Sequence, residues 1–118
     1  MAATVIPIPE LQIETLKAPE QTAVRCAGKI TSSSLGLLQA AVRAAIPEAK
    51  CVVLDLTDVT YLDSSGLGAI VSLYVSARRQ HCELKLIHLN QRLKELFSLT
   101  RLATIFEGHE DYLGVTPD

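Results

Sequence analysis

Asp63-Ser64-Ser65-Gly66 sets one carboxylate beside two hydroxyls, the groups from which nucleophiles and phosphate acceptors are made. A serine nucleophile needs a base within hydrogen-bond reach. The chain has three histidines, His81, His88 and His109, and nothing in their spacing places one at Ser64. Asp63 is merely its sequence neighbour, and the turn lacks the Gly-x-Ser-x-Gly elbow of hydrolases. There is no Walker phosphate loop and no G-x-G-x-x-G fingerprint; Gly66 and Gly68 alone do not make one. Asp55, Asp58 and Asp63 match no cation-loop pattern, and Asp55 falls inside an apolar run. No catalytic residue, metal site or cofactor is expected. The chain reads as a substrate and binding partner, not an enzyme.

The flanking elements decide what the two hydroxyls can do. Cys51-Val52-Val53-Leu54-Asp55-Leu56 is apolar and rich in β-branched residues, the pattern of a buried strand. Leu67, Ile70, Val71, Tyr74 and Val75 then recur at the spacing of an amphipathic helix and are expected to face the core. A polar, glycine-containing turn should join the two. Asp63 or Ser64 can cap the helix, since a short side-chain oxygen accepts the unpaired N–H groups of the first turn. Those N–H groups and the helix dipole also favour a negative group on a serine there, so the turn can hold a phosphoserine. Capping by itself is an ordinary way to begin a helix in any α/β protein. With the apolar stripe inward, the other side of the helix carries Ser65, Ala69, Ser72 and Ser76, with Leu73 on the flank. These small residues form the expected partner-binding face.

The rest of the chain supplies the frame. Residues 1–10, with Pro7 and Pro9, form an extended N-terminal lead. Leu11 to Leu16 alternates apolar and polar as a half-buried strand does, and Thr22 to Ala27 can pair back on it as a hairpin, with Gly28 ending the strand. Thr31, Ser32 and Ser33 are candidate caps for a helix faced by Leu35, Leu38, Val42, Ala45 and Ile46 and stopped by Pro47. Arg78 and Arg79 suit the C-terminal end of the central helix. Glu83 to His88 is a further strand, and Asn90 can cap a short helix with Leu93, Leu96 and Phe97 inward. Thr104-Ile105-Phe106 reads as a last short strand, and His109 to Leu113 as at most one helical turn before a tail at residues 114–118. Alternating strand and helix signals imply one α/β domain over residues 11–113, parallel where helices form the crossovers.

Composition narrows the partners. A chain of 118 residues with 48% hydrophobic and 20% charged residues is globular and builds one modest core. A net charge of −2, no basic run and no tryptophan argue against nucleic acid and anionic membranes. No window reaches the ~20 apolar residues of a membrane span, and the N-terminus lacks the cationic and apolar regions of a signal peptide. Cys26, Cys51 and Cys82 are far apart and lie in or beside apolar runs, as small hydrophobes in a reducing, cytoplasmic compartment.

The run Val53-Leu54-Asp55-Leu56, Val59 and Leu62-Asp63-Ser64-Ser65-Gly66-Leu67-Gly68 resembles the signature of the STAS domain family, in particular its small bacterial anti-sigma factor antagonists. The likeness continues through Leu84-Lys85-Leu86-Ile87, Leu93 to Phe97 and Leu102 to Phe106, about residues 22 to 107 in all. It implies a mixed, mainly parallel sheet with helices largely on one face and a leading strand antiparallel to its neighbour. It also implies a protein that binds a serine-kinase anti-sigma factor, is released when the kinase phosphorylates it, and is restored by a protein phosphatase. By match to the motif the phosphorylated residue is Ser64, with Ser65 the fallback, and Asp63, Gly66, Leu67 and Thr31 surround the site. The family's second strand usually ends Gly-Glu-Leu-Asp, whereas this chain has Gly28-Lys29-Ile30-Thr31, which alters the acidic surface beside the switch. Two alternatives stand beside this reading: a phosphorylation-independent STAS interaction module in a sensory or regulatory complex, and a small nucleotide-binding domain.

Overall fold

The computed structural model describes residues 9–99. Strand β1, Leu11–Lys17, pairs antiparallel with β2, Gln21–Ile30, from Leu11 opposite Gly28 to Lys17 opposite Thr22. Helix α1, Leu35–Ala45, buries Leu38, Val42 and Ala45 and gives way to a 3-10 turn, Ile46–Glu48, where Pro47 cannot continue it. Strand β3, Cys51–Leu62, lies parallel to β2 and leads into α2, Ser64–Arg79. Strand β4, Glu83–Ile87, adds parallel to β3, and α3, Gln91–Leu99, follows. The sheet order is therefore β1-β2-β3-β4, mixed and mainly parallel, as expected. The last strand and turn expected at 104–113, the tail at 114–118 and most of the lead at 1–10 lie outside the described residues.

Strand alternation puts one set of side chains into a single core. Val24 and Cys26 of β2, Val52, Leu54 and Leu56 of β3, and Leu84 and Leu86 of β4 join Leu38 and Val42 of α1, Leu67, Ile70 and Leu73 of α2, and Leu93 and Phe97 of α3. All three helices thus feed one cluster on one side of the sheet. On the other side, register sets Glu14, Arg25 and Asp55 in a row across β1, β2 and β3. Arg25 lies 3.6 Å from Glu14 and 3.5 Å from Asp55. Cys26, Cys51 and Cys82 are free thiols; burial in the core pushes Cys26 up to about 12, so it stays protonated.

Three local expectations are corrected. Gly28, with a φ of +113°, does not end β2: the register with β3 shifts there, passing over Thr60, and pairing resumes with Lys29 opposite Tyr61 and Ile30 opposite Leu62. A side chain at this position would collide with the Glu10 carbonyl oxygen, so the positive φ and the close approach both require glycine. β3 runs to Leu62, and the connection to α2 is Asp63 alone. Finally, none of Thr31, Ser32 and Ser33 occupies the N-cap of α1, which is Ser34 and makes no side-chain cap bond. The Ser34 hydroxyl is buried and donates to the Lys29 carbonyl at 2.7 Å while accepting the Thr31 N–H at 2.9 Å.

Candidate functional site

The site is built where the C-terminal ends of β2 and β3 meet the start of α2. Asp63 has extended backbone, and its Oδ1 accepts the Gly66 N–H at 2.9 Å, an N-cap made by the carboxylate of the turn. The Leu67 N–H reaches the Asp63 carbonyl at 3.0 Å, and the Asp63 N–H reaches the Ile30 carbonyl at 3.2 Å, which ties the helix start to β2. Asp63 is the cap; Ser64 is instead the first helical residue. Ser64 and Ser65 are both exposed, and their N–H groups have no acceptor within the helix. Gly66 and Leu67 are buried beneath them. A phosphate on either hydroxyl would therefore sit at the positive end of a 16-residue helix.

Gly66 is what allows the helix to start this close to β2. A Cβ there would stand 2.5 Å from Leu62 Cδ1 and 2.7 Å from the Ile30 carbonyl oxygen. Gly68, by contrast, has nothing within 4 Å of a built Cβ.

The expected partner face requires correction. Ala69 is 5% and Leu73 0% exposed, so both belong to the core side of α2 and neither is offered to a partner. Conversely Val75 is 41% exposed and Val71 and Tyr74 are half-buried, although all three were expected inward. α2 packs against α1 as well as β3 and β4, which widens its buried arc to Gly66, Leu67, Ala69, Ile70, Leu73 and Ala77. The exposed stripe is Ser65, Gly68, Ser72 and Val75, with Ser76 half-buried at its margin. Of the residues expected on the docking face, Ser65, Ser72 and Ser76 remain.

Two groups at the site were not foreseen. Glu10, read as part of a loose lead, accepts the Thr31 hydroxyl at 2.5 Å and the Ser33 hydroxyl at 2.6 Å. Hydrogen bonds from Ser33 and then Thr31 lower its pKa, so this carboxylate stands charged beside the β2–α1 turn, near enough to feel the charge of Asp63. Thr31 is thus engaged with Glu10, and an acid occupies the region where Lys29 and Thr31 had removed two. No sequence signal links positions 10 and 31; the β1–β2 register carries on past Leu11 opposite Gly28, so the Lys29 N–H bonds the Glu10 carbonyl at 2.9 Å and sets Glu10 beside the β2–α1 turn. The second group is α3. Its Asn90 caps the helix, accepting the Leu93 N–H at 2.9 Å, as expected, and also donates to the Val59 carbonyl of β3 at 3.1 Å. This anchor makes an open cleft of about 490 Å³, walled by Tyr61, Asp63 and Ser64 on one side and Arg92, Glu95 and Leu96 on the other.

Among the described residues no group of His, Cys, Asp and Glu is placed to hold a metal ion, and no helix is long and apolar enough to cross a membrane.

Comparison with known proteins agrees with this architecture. Residues 13–107 match the family described as Mlab, STAS domain. The chain is similar to the anti-sigma-B factor antagonist of Listeria monocytogenes, 46% identical over 54 residues that cover 46% of this chain and 47% of the relative. It is also similar to the anti-sigma-B factor antagonist of Bacillus subtilis, 42% identical over 52 residues, 44% of this chain and 48% of that one. The chain thus spans about half the length of the curated relatives it matches. Among solved structures, an anti-sigma factor antagonist from Mycobacterium paratuberculosis superposes with a TM-score of 0.76 at 18% identity, covering 96% of this chain and 92% of the other. The anti-sigma factor antagonist SpoIIAA in its unphosphorylated form gives 0.67 at 17% identity, over 80% of this chain and 83% of that one. At these identities the superpositions establish the shared fold.

Proposed function

This chain belongs to the STAS domain family, and we propose that it is an anti-sigma factor antagonist switched by phosphorylation of Ser64. In the unmodified state it binds a serine-kinase anti-sigma factor in the cytoplasm and so frees the sigma factor. The kinase ends that binding by phosphorylating Ser64. The serine Oγ attacks the γ-phosphorus of ATP, the new O–P bond forms as the bond to the ADP oxygen breaks, and the hydroxyl proton passes to a base on the kinase. A phosphatase hydrolyses the ester and restores binding.

The observation that carries this reading is the exposure of Ser64 at the first position of α2, directly after an Asp63 cap that leaves the serine hydroxyl outside the helix. Incubating the protein with lysate of its own organism and ATP, then mapping phosphosites by mass spectrometry, tests it. Phosphate on Ser64, absent from Ser64→Ala, is the expected result. Modification of Ser65 alone would move the switch by one residue.

A second reading is favoured by Lys29 and Thr31, which depart from the acidic pattern of the family, and by the engagement of Thr31 with Glu10. On that reading the chain is an interaction module that binds its partner without a phosphoryl switch. Modification of neither serine in the mapping experiment, with partner binding unaffected by ATP, would select it.

A further inference from the structure

We propose that Arg92 is the intramolecular counter-cation for a phosphate on Ser64, so that modification ties the first turn of α3 to the first turn of α2. The inference rests on the reading of Ser64 as the switch residue and adds the group of this chain that receives the new charge.

Arg92 and Ser64 line the same cleft from opposite sides. The position of Arg92 in that wall is set by the backbone of α3, because Asn90 joins the helix start to Val59 of β3. Arg92 is exposed, and among the described residues its side chain has neither an ion pair nor a hydrogen bond. Arg78 donates to the Tyr74 hydroxyl at 3.4 Å and Arg25 reaches two carboxylates, so Arg92 differs from them in having its guanidinium unengaged.

The charges of the cleft show why this cation matters. Its other charged groups are the carboxylates Asp63 and Glu95, and the Glu95 Oε1 already accepts the Gln91 side-chain N–H at 3.4 Å. A phosphate adds about −1.5 to −2 charge next to them, which repulsion alone would oppose. A guanidinium on a long stem answers that charge with two parallel N–H donors that match phosphate oxygens, a geometry an ammonium cannot reproduce. The helix N-terminus and Arg92 would then grip the phosphate from two elements. A serine hydroxyl offers Arg92 no comparable charge, so the tie forms only after modification.

The test uses the full chain with phosphoserine installed at position 64 during synthesis, and follows its second ionisation by phosphorus NMR. Pairing with Arg92 favours the dianion and lowers the midpoint. In R92Q the midpoint should rise by at least about half a unit, roughly a threefold change in the dianion-to-monoanion ratio at fixed pH. R92K should fall between, because it keeps the charge and loses the fork. Identical midpoints in wild type and R92Q would overturn the assignment. Because no kinase is involved, that result leaves Ser64 standing as a kinase substrate, whereas failure of the lysate experiment would refute the switch without touching the titration.

Discussion

A side chain at Gly66 would place its Cβ 2.7 Å from the carbonyl oxygen of Ile30, so the last residue of β2 dictates the third residue of α2. The Ile30 carbonyl cannot withdraw, because it also accepts the Asp63 N–H at 3.2 Å. Gly66→Ala should therefore lower stability by about 1–3 kcal/mol, the usual cost of overpacking a filled site. Gly68→Ala is the internal control. Nothing lies within 4 Å of its built Cβ, and removing a glycine from a helix interior should raise stability by about 0.5–1 kcal/mol. Opposite signs in urea unfolding of the two variants are the expected outcome; a loss in both would place Gly68 under a constraint of its own.

The cap offers a second, separable effect. Asp63→Ala removes the acceptor of the Gly66 N–H and should cost about 0.5–2 kcal/mol. Asp63→Asn retains a cap oxygen and should recover most of it. If thermal unfolding shows the asparagine variant no better than alanine, the charge of Asp63 and not its hydrogen bond holds the helix start.

On the opposite face of the sheet Asp55 ties stability to pH. Burial of Asp55 alone would raise its pKa. The hydroxyl of Thr57 at 2.5 Å, its N–H at 3.0 Å and His88 Nδ1 at 3.1 Å outweigh that and hold the carboxyl below the usual range. A depressed folded-state pKa means stability that is complete above the unfolded value of about 3.9 and is lost as pH falls through the lower folded value. Asp55→Asn should therefore be less stable than wild type at neutral pH, with the gap closing below about pH 4. A gap that stays constant from neutral to acid would show that the contacts of Asp55 do not depend on its charge.

Those residues also show how far the sequence could be read. Cys51 to Leu56 announced a buried strand because five of its six residues are apolar and two are β-branched, with Asp55 the one exception. The second half of β3 did not, since Thr57, Asp58 and Thr60 are polar and it is pairing with β2, from Ala27 opposite Asp58 to Ile30 opposite Leu62, that makes this stretch strand. Asp63-Ser64-Ser65-Gly66 was legible because capping is local chemistry. The facing of α2 was not: Leu67, Ala69, Ile70, Val71, Leu73, Tyr74, Val75 and Ala77 surround much of the helix with apolar side chains. Periodicity then selects no single stripe, and contact with α1 decides which side is buried. Glu10 and Arg92 reach the site through the β1–β2 register and a capped helix. Neither lies near Ser64 in the sequence.

The corrected helix face changes how a docking surface should be probed. Ala69 is 5% exposed, so an arginine there would disrupt the core and report nothing about a partner. Ser72 lies two turns from Ser65 on the exposed stripe and should tolerate the substitution. We expect Ser72→Arg to keep the wild-type circular dichroism spectrum and melting temperature while losing binding to the anti-sigma kinase by at least ~10-fold, a change of roughly 1.4 kcal/mol. Undiminished affinity by calorimetry would move the interface off this stripe.

The proposed switch at Ser64 makes the sharpest demand. A partner seated over Ser64 must bury or strip the hydration of a phosphate, and an imperfectly paired buried charge costs several kcal/mol. The fold should scarcely respond, since the α2 terminus lies at the surface and its first turn can accept the charge in place. Ser64→Asp should therefore leave circular dichroism unchanged and weaken kinase binding at least ~10-fold, roughly 1.4 kcal/mol, whereas Ser64→Ala should bind about as well as wild type. Genuine phosphoserine should weaken it further, because a single carboxylate carries only part of the charge and fewer acceptor oxygens. Calorimetry on the four forms provides the check. Equal affinities across all of them would refute local repulsion and desolvation as the mechanism; weakening confined to the two charged forms, without a change in fold, is what that mechanism predicts.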